Sequence, residues 1–277
     1  MQTFQQLDNQ LRSCGTRRRI AAVCVYDDAT REALRQAEEV ADAVYVDADT
    51  PEAAAAKAVA LIRNGEADVL MKGLIGTDQL LRAVLNKETG LMPTQASPVL
   101  THLAAAEIPG HDKLLFFTDA AVIPYPTHEQ RIAQVRYAVN TLHALGIDEP
   151  RIALIHCAEH GGKAFPFVDG YADIKRMAAE GAFGACRVDG PLDVKTACSP
   201  QALAAKHLTS PLEGQADVLV FPDIEAGNAF YKTLTLFTRT RTAGMLCGAQ
   251  APVVVPSRGD SVESKLNSIR FALACIA

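Results

Sequence analysis

The run Pro256-Ser257-Arg258-Gly259-Asp260-Ser261-Val262-Glu263 gathers a hydroxyl, a guanidinium and two carboxylates. It lies where an apolar strand pattern, Val253–Val255, gives way to an amphipathic helix pattern with Val262, Leu266, Ile269 and Leu273 on one face. A helix N-terminus offers unpaired amide N–H groups and a positive dipole end, so it favours a phosphate group. Arg258 adds a permanent charge in a planar fork suited to phosphate oxygens. Ser257 adds a hydroxyl donor. Asp260 has another use open to it, because Asp260-x-x-Glu263 also reads as a capping box with Asp260 as N-cap.

Other polar groups fall at similar hand-over points. In Met71-Lys72-Gly73-Leu74-Ile75-Gly76-Thr77 a lysine leaves an apolar strand just before two glycines, and a helix is expected near Asp78. A cation and free amides converge there, although the glycine spacing is not a dinucleotide fingerprint. The alternative is a glycine turn with a solvated lysine. Thr118-Asp119 ends the strand pattern Lys113–Thr118, and Asp119 is suited to holding a substrate, orienting Arg258 or capping a turn. In the segment from Ala216 to Lys232, Val218–Phe221 reads as a buried strand that Pro222 ends. Asp223, Glu225 and Asn228 follow, and a long helix pattern is expected from about Ala229. Lys232 shares a helix face with Asn228. The plainer reading is a negatively charged helix start that complements the dipole. His156-Cys157-Ala158-Glu159-His160-Gly161-Gly162-Lys163 lacks a helical His-Glu-x-x-His frame, so a metal is not expected. Its glycines and Lys163 suit a loop that approaches a phosphate or CoA.

These residues need a scaffold of alternating strands and helices. Strands are expected at Ile20–Tyr26, Ala43–Val46, Asp68–Met71, Lys113–Thr118, Arg151–Cys157, Gly184–Val188, Asp217–Phe221 and Pro252–Pro256. Helices are expected at Pro51–Asn64, His128–Leu145, Asp169–Glu180 and Ser199–His207, several of them stopping at glycine. The alternation predicts mainly parallel α/β sheets covered on both faces. Gly90 to Thr127 holds five prolines and reads as irregular connection around one strand. A domain boundary is expected near Pro124–His128, giving domains of 1–126 plus 252–277 and 127–251.

The chain has 277 residues, 49% hydrophobic and 21% charged, with a net charge of −5. That balance argues against nucleic acid as the main partner. An anionic substrate would therefore need local basic groups. No apolar run approaches the roughly 18 residues of a membrane span, and the start, Met1 to Gly15, lacks a signal core. The seven cysteines form no Cys-x-x-Cys pair. Cys24, Cys157 and Cys186 sit in apolar strand patterns, which suits thiols packed as small hydrophobes in a reducing, cytoplasmic setting.

At these residues the chain resembles the phosphate acetyl/butyryl transferase family, its phosphate butyryltransferase branch above all. The resemblance is carried by Lys72-Gly73-Leu74-Ile75, Thr118-Asp119-Ala120-Ala121, Asp189-Gly190-Pro191-Leu192, Pro222-Asp223-Ile224-Glu225-Ala226-Gly227-Asn228 with Tyr231-Lys232, and Ser257-Arg258-Gly259-Asp260-Ser261 with Lys265 and Ser268-Ile269. It implies two α/β/α domains of the isocitrate/isopropylmalate dehydrogenase-like kind, with an active cleft between them. It implies reversible acyl transfer between CoA and phosphate in a ternary complex, with CoA as substrate and no metal or prosthetic group. A homo-oligomer without nucleic-acid or membrane partners is implied too. Carried over by position, Ser257 and Arg258 are catalytic, and Lys72, Thr77, Thr118, Asp119, Glu225, Asn228 and Lys232 bind substrate. Related acetyltransferases use an Asp seven positions after the Ser as base for the CoA thiol. Ser264 stands there in this chain, which leaves Glu263 and Asp260 as the nearby carboxylates. Alternatives are a NAD(P)-dependent hydroxyacid dehydrogenase of similar fold and a non-catalytic acyl-CoA or acyl-phosphate sensor.

Overall fold

A computed structural model describes residues 1–94 and 98–276. Its strands are β1 (Arg18–Val23), β2 (Ala41–Val46), β3 (Val69–Lys72), β4 (Thr101–Glu107), β5 (Leu115–Thr118), β6 (Arg151–Ile155), β7 (Arg187–Leu192), β8 (Val218–Val220), β9 (Arg241–Cys247) and β10 (Val253–Val254). The helices are α1 (Phe4–Cys14), α2 (Asp28–Ala37), α3 (Pro51–Arg63), α4 (Thr77–Val84), α5 (His128–Ala144), α6 (Asp169–Ala179), α7 (Val194–Cys198), α8 (Pro200–Ala205), α9 (Ile224–Phe237) and α10 (Val262–Ala274). No helix among the described residues is long and apolar enough to cross a membrane.

The chain forms two compact units, one of residues 3–100 with 241–277 and one of residues 1–2 with 101–240. In the first unit the strand order is β2-β1-β3-β10-β9. The first four strands run parallel, and β9 is antiparallel to β10. β1 and β10 are apolar toward their C-terminal ends, and β3 is apolar up to a terminal buried Lys72, as expected of strands buried on both faces. Helix α10 packs on β9 and α2. In the second unit the order is β4-β5-β8-β6-β7. β5, β8, β6 and β7 are parallel and β4 is antiparallel to β5. Its core includes Leu115, Phe117, Ile155, Leu219 and Phe221.

Two strands lie outside the sequence expectation. β4 occupies the proline-rich stretch read as irregular, so the described residues of that stretch hold two strands and not one. Its sequence, Thr-His-Leu-Ala-Ala-Ala-Glu, carries alanines that favour helix intrinsically, and burial between neighbours overrides that preference. β9 falls just after the long α9. With these strands in place, the units change over at Leu100–Thr101 and Thr240–Arg241, whereas the sequence bounds fall at 126/127 and 251/252. The cysteine expectation also changes. Cys24 is buried, but Cys157 lies beyond the end of β6 and is exposed, and Cys186 precedes β7 half-buried.

Candidate active site

In the first unit, three parallel strands end side by side and each hands a polar residue to the same rim. β1 continues through Cys24 to Asp27, the N-cap of α2, whose carboxylate Oδ1 accepts from the Thr30 amide at 2.8 Å and its hydroxyl at 2.9 Å. β3 ends in Lys72. The chain then turns against β1, with the Gly73 amide donating to Val23 O and the Leu74 amide to Cys24 O, both at 2.8 Å. A Cβ at position 73 would lie 2.3 Å from Cys24 O, so only glycine permits this approach. β10 leads into the turn Pro256–Asp260.

That turn is built by its own polar groups. The Asp260 carboxylate accepts from the Ser257 amide at 2.7 Å, and the Asp260 amide donates to Ser257 O at 3.2 Å. Asp260 is therefore not the helix cap expected from sequence. Ser261 caps α10, its hydroxyl accepting from the Ser264 amide at 3.1 Å. The cap falls one residue later because Asp260 already serves the turn. Ser257, Arg258 and Gly259 are exposed.

Lys72 is only 4% exposed, and its Nζ donates to Gly73 O at 3.2 Å and to Pro256 O at 3.5 Å. Burial pushes its pKa below the ordinary lysine value, and the charges of Lys265 and Arg258 push the same way against Asp27 and Asp260. A weakly bonded cation beneath a turn with a free hydroxyl and guanidinium is suited to an anion. Thr77 is the first residue of α4 and is exposed, with the Gly76 amide donating to the Gln79 side chain at 3.0 Å.

The two remaining sequence candidates on α10 separate. The Glu263 carboxylate accepts from Arg241 Nη1 at 3.3 Å and lines a cavity of about 410 Å³ with Phe4, Leu266 and Arg270. The Ser264 hydroxyl lies 3.1 Å from Thr242 Oγ1 and donates to Thr242 O at 3.3 Å, against β9.

In the second unit, Thr118 and Asp119 close β5. Asp119 is 2% exposed and saturated. One oxygen accepts from the Ala121 and Val122 amides at 2.8 and 2.9 Å, and the other from Thr101 Oγ1, the His102 amide and the Ile123 amide at 2.7, 3.1 and 3.3 Å. Of the three roles read from sequence, the geometry supports turn capping. The Thr118 hydroxyl is buried, 3.1 Å from that of Thr101.

Helix α9 begins five residues earlier than the sequence pattern suggests. Asp223 is its N-cap, accepting from the Ala226 amide at 2.9 Å, so Glu225 lies in the first turn and Asn228 within the helix. Asn228 donates to Ala120 O at 2.9 Å, Tyr125 donates to Glu225 at 3.4 Å, and the Lys232 ammonium lies 5.1 Å from the Tyr231 ring centre. Glu225 and Lys232 are exposed on this helix.

The loop after β6 brings no metal set together; among the described residues no three His, Cys, Asp or Glu side chains converge. His156 is 4% exposed between the rings of Phe165 and Phe167, and Glu159 pairs with Lys206. Gly161, Gly162 and Lys163 are exposed.

Sequence reasoning gave no role to three charged residues, of which only Lys265 was named, as a carrier of the resemblance. Arg131 on α5 is 2% exposed, donates to Pro222 O at 2.9 Å and stacks over Phe167 and Tyr171. Burial lowers its pKa. Its register gave a signal, since Arg131, Val135, Ala138 and Leu142 share the buried face of the helix. Lys265 is 3% exposed, in register with buried Ile269. Asp27 could have been found as an N-cap directly after a parallel strand.

Comparison with known proteins gives a consistent result. Residues 26–273 match the family described as "Phosphate acetyl/butaryl transferase". The chain is 36% identical to a phosphate butyryltransferase of Clostridium beijerinckii, covering 97% of this chain and 96% of that one. It is 40% identical to a phosphate butyryltransferase of Clostridium acetobutylicum over 89% of this chain and 81% of the relative. Its structure is similar to that of a branched-chain phosphotransacylase from Enterococcus faecalis, with TM-score 0.82, 31% identity, and coverage of 93% and 98%.

Proposed function

The chain belongs to the phosphate acetyl/butyryl transferase family, and from that premise we propose that it transfers an acyl group reversibly between CoA and inorganic phosphate. The carrying observation is the Ser257–Asp260 turn with Lys72 buried against it at the ends of β1, β3 and β10.

In the direction of acyl-CoA formation, the CoA thiolate adds to the carbonyl carbon of an acyl phosphate. A thiol has a pKa near 8.5, so losing its proton promotes attack. The carbonyl π-electrons move to oxygen and give a tetrahedral oxyanion, which the Ser257 hydroxyl is suited to stabilise. Collapse breaks the carbon–oxygen bond to phosphate, and Arg258 and Lys72 balance the charge of the leaving phosphate. Thr77 is proposed to contact substrate from the first turn of α4. Thr118, Glu225, Asn228 and Lys232 are proposed to do so from the second unit, with Asp119 shaping the turn beside them. Asp260 is the carboxylate nearest the turn, and its bond to the Ser257 amide supports a role in shaping it. Glu263 is less suited to act as base, being engaged with Arg241.

We read the acyl group as short or branched in preference to acetyl, which the names of the Clostridium and Enterococcus relatives support. CoA and phosphate serve as substrates without a prosthetic group, in a cytoplasmic homo-oligomer. The two-domain, dehydrogenase-like layout is part of this reading, and the two compact units support it. The test is release of free CoA from acetyl-, propionyl-, butyryl- and isobutyryl-CoA with phosphate. A folded preparation inactive on all four defeats the function, and acetyl-CoA as the best substrate defeats the preference. Ser264, in place of the acetyltransferase aspartate, favours a second reading as a non-catalytic acyl-CoA sensor. CoA binding by calorimetry without turnover would select it.

A further inference from the structure

Two buried ammonium groups meet the same turn. Lys72 Nζ approaches Pro256 O and Lys265 Nζ approaches Ser257 O, at 3.5 and 3.4 Å, so successive carbonyls of one strand end receive them. Both contacts are long for charge-assisted hydrogen bonds. Lysine is almost never fully buried without a partner, because removing its charge from water is costly. Among the described residues, Lys265 has one carboxylate within reach, Asp27 Oδ1 at 3.9 Å. That oxygen already accepts two bonds from Thr30, while Asp27 Oδ2 is buried and has no hydrogen-bond partner.

The charges around the turn do not cancel. Lys72, Lys265 and Arg258 are three cations, and Asp27 and Asp260 are two carboxylates, which leaves one positive charge in a chain of net charge −5. A neutral structural cluster has no need of this surplus. An anion entering the turn would complete the coordination of both ammonium groups and balance the charge.

We infer that Lys265 is a second substrate-binding cation of the phosphoryl site, donating to phosphate oxygens beside Lys72, and that Asp27 is the residue that positions it. This rests on the acyltransferase reading only for the identity of the reacting partner; the anion site itself is a claim about phosphate binding. Asp27 acts through Lys265. It sets the ammonium between the end of β1 and the turn while its free oxygen keeps the local field from repelling the protonated pair. Dianionic phosphate is the ligand class, free or as the phosphoryl end of an acyl phosphate.

The test uses the full chain and two readouts. Calorimetry with inorganic phosphate measures the site without turnover. Steady-state kinetics in the acyl-phosphate-forming direction separates KM for phosphate from KM for acyl-CoA. Lys265→Met is expected to weaken phosphate binding about tenfold or more, the loss of one charge-assisted contact. KM for acyl-CoA should stay within about twofold. Lys265→Arg should recover most of the binding, and Asp27→Asn should weaken it while Asp27→Glu restores it. A pH profile of phosphate KM that shifts in Asp27→Asn is the readout a purely structural role would not move. Phosphate binding unchanged in a folded Lys265→Met variant overturns the proposal, as does an equal loss for phosphate and acyl-CoA. If Lys265→Met fails to fold, Lys265→Arg and Asp27→Asn decide by the same two readouts. A wild-type chain that binds phosphate through Lys265 but does not turn over acyl-CoA would sink the acyltransferase reading and leave this site standing.

Discussion

Gly227 in α9 is the position where a single methyl group should report most sharply on the second unit. An ideal Cβ there would lie 2.1 Å from Asp119 O, 3.0 Å from Asp119 C and 3.4 Å from the Ala120 Cα. Real Cβ atoms essentially never come within 3.0 Å of such neighbours, and these are backbone atoms that cannot rotate away. In Gly227→Ala the helix start must therefore retreat by at least 0.9 Å, which is 3.0 less 2.1. The Asp119 turn cannot easily follow, because its carboxylate holds five donors. Overpacking of this kind costs about 1–3 kcal/mol. Stretching the Asn228 bond to Ala120 O adds about 1 kcal/mol. Against this, alanine is the better helix former by roughly 0.5–1 kcal/mol. The expected net loss is about 1–3 kcal/mol, or a melting temperature lower by roughly 3–10 °C. Urea denaturation and calorimetric melting measure it, with Gly259→Ala as comparator, since no atom lies within 4 Å of a Cβ there. Gly227→Ala melting at or above the wild type would refute the reasoning, for then propensity would outweigh the contact.

Asp119→Asn should cost about 2–4 kcal/mol, because an amide keeps one acceptor oxygen and turns N–H groups toward donors that are already placed; a loss below about 0.5 kcal/mol by chemical denaturation would contradict the saturated geometry. Arg258→Ala, at an exposed position, should abolish CoA release while leaving the melting temperature unchanged; retained turnover removes it from the mechanism. Glu263→Gln removes a surface-exposed ion pair with Arg241 worth at most about 1 kcal/mol, and CoA release should hold within about threefold, whereas a collapse of turnover would restore it as the base. Lys72 has a folded-state pKa below its ordinary value of 10.5, so its protonation opposes folding at neutral pH and that cost is relieved as pH rises through the folded-state pKa. Lys72→Met should therefore be the more stable protein at neutral pH, with the gap narrowing toward alkaline pH; a gap that widens with pH has the wrong sign.

Much of this was readable from residues alone because strand ends and helix starts carry local signals. Pro256 through Ser261 follows an apolar strand and precedes an amphipathic helix, so a turn rich in donors was expected there and is found. Lys72 stood before two glycines, and Gly73 is the residue that lets the chain cross close to Cys24 O. What stayed hidden depends on partners distant in sequence. β4 and β9 are strands by burial and pairing more than by propensity, so periodicity did not reveal them. Asp119 could be listed with three roles, but only the arrival of the Thr101 and His102 donors from β4 decides among them. Arg131 needed the course of Pro222 and the rings of Phe167 and Tyr171 before its burial made sense.

Helix α10 makes the remaining point, because its two sequence candidates, Glu263 and Ser264, turn to different partners. Residues four apart share a face, so Ser261 and Lys265 lie together, while Val262, Leu266 and Arg270 lie round the cylinder. The turn residues precede Ser261, so the face that begins with Ser261 is the one that continues the phosphoryl rim. Glu263 is two steps from Ser261, about 200° away, and its pairing with Arg241 follows from that angle. Ser264 faces β9, where a longer carboxylate would meet the Thr242 carbonyl. Proximity in sequence suggested Glu263 as the substitute for the acetyltransferase aspartate, but on a helix a residue one step away points about 100° round the axis, and the Glu263 carboxylate is directed to Arg241 and not to the position held by Ser264.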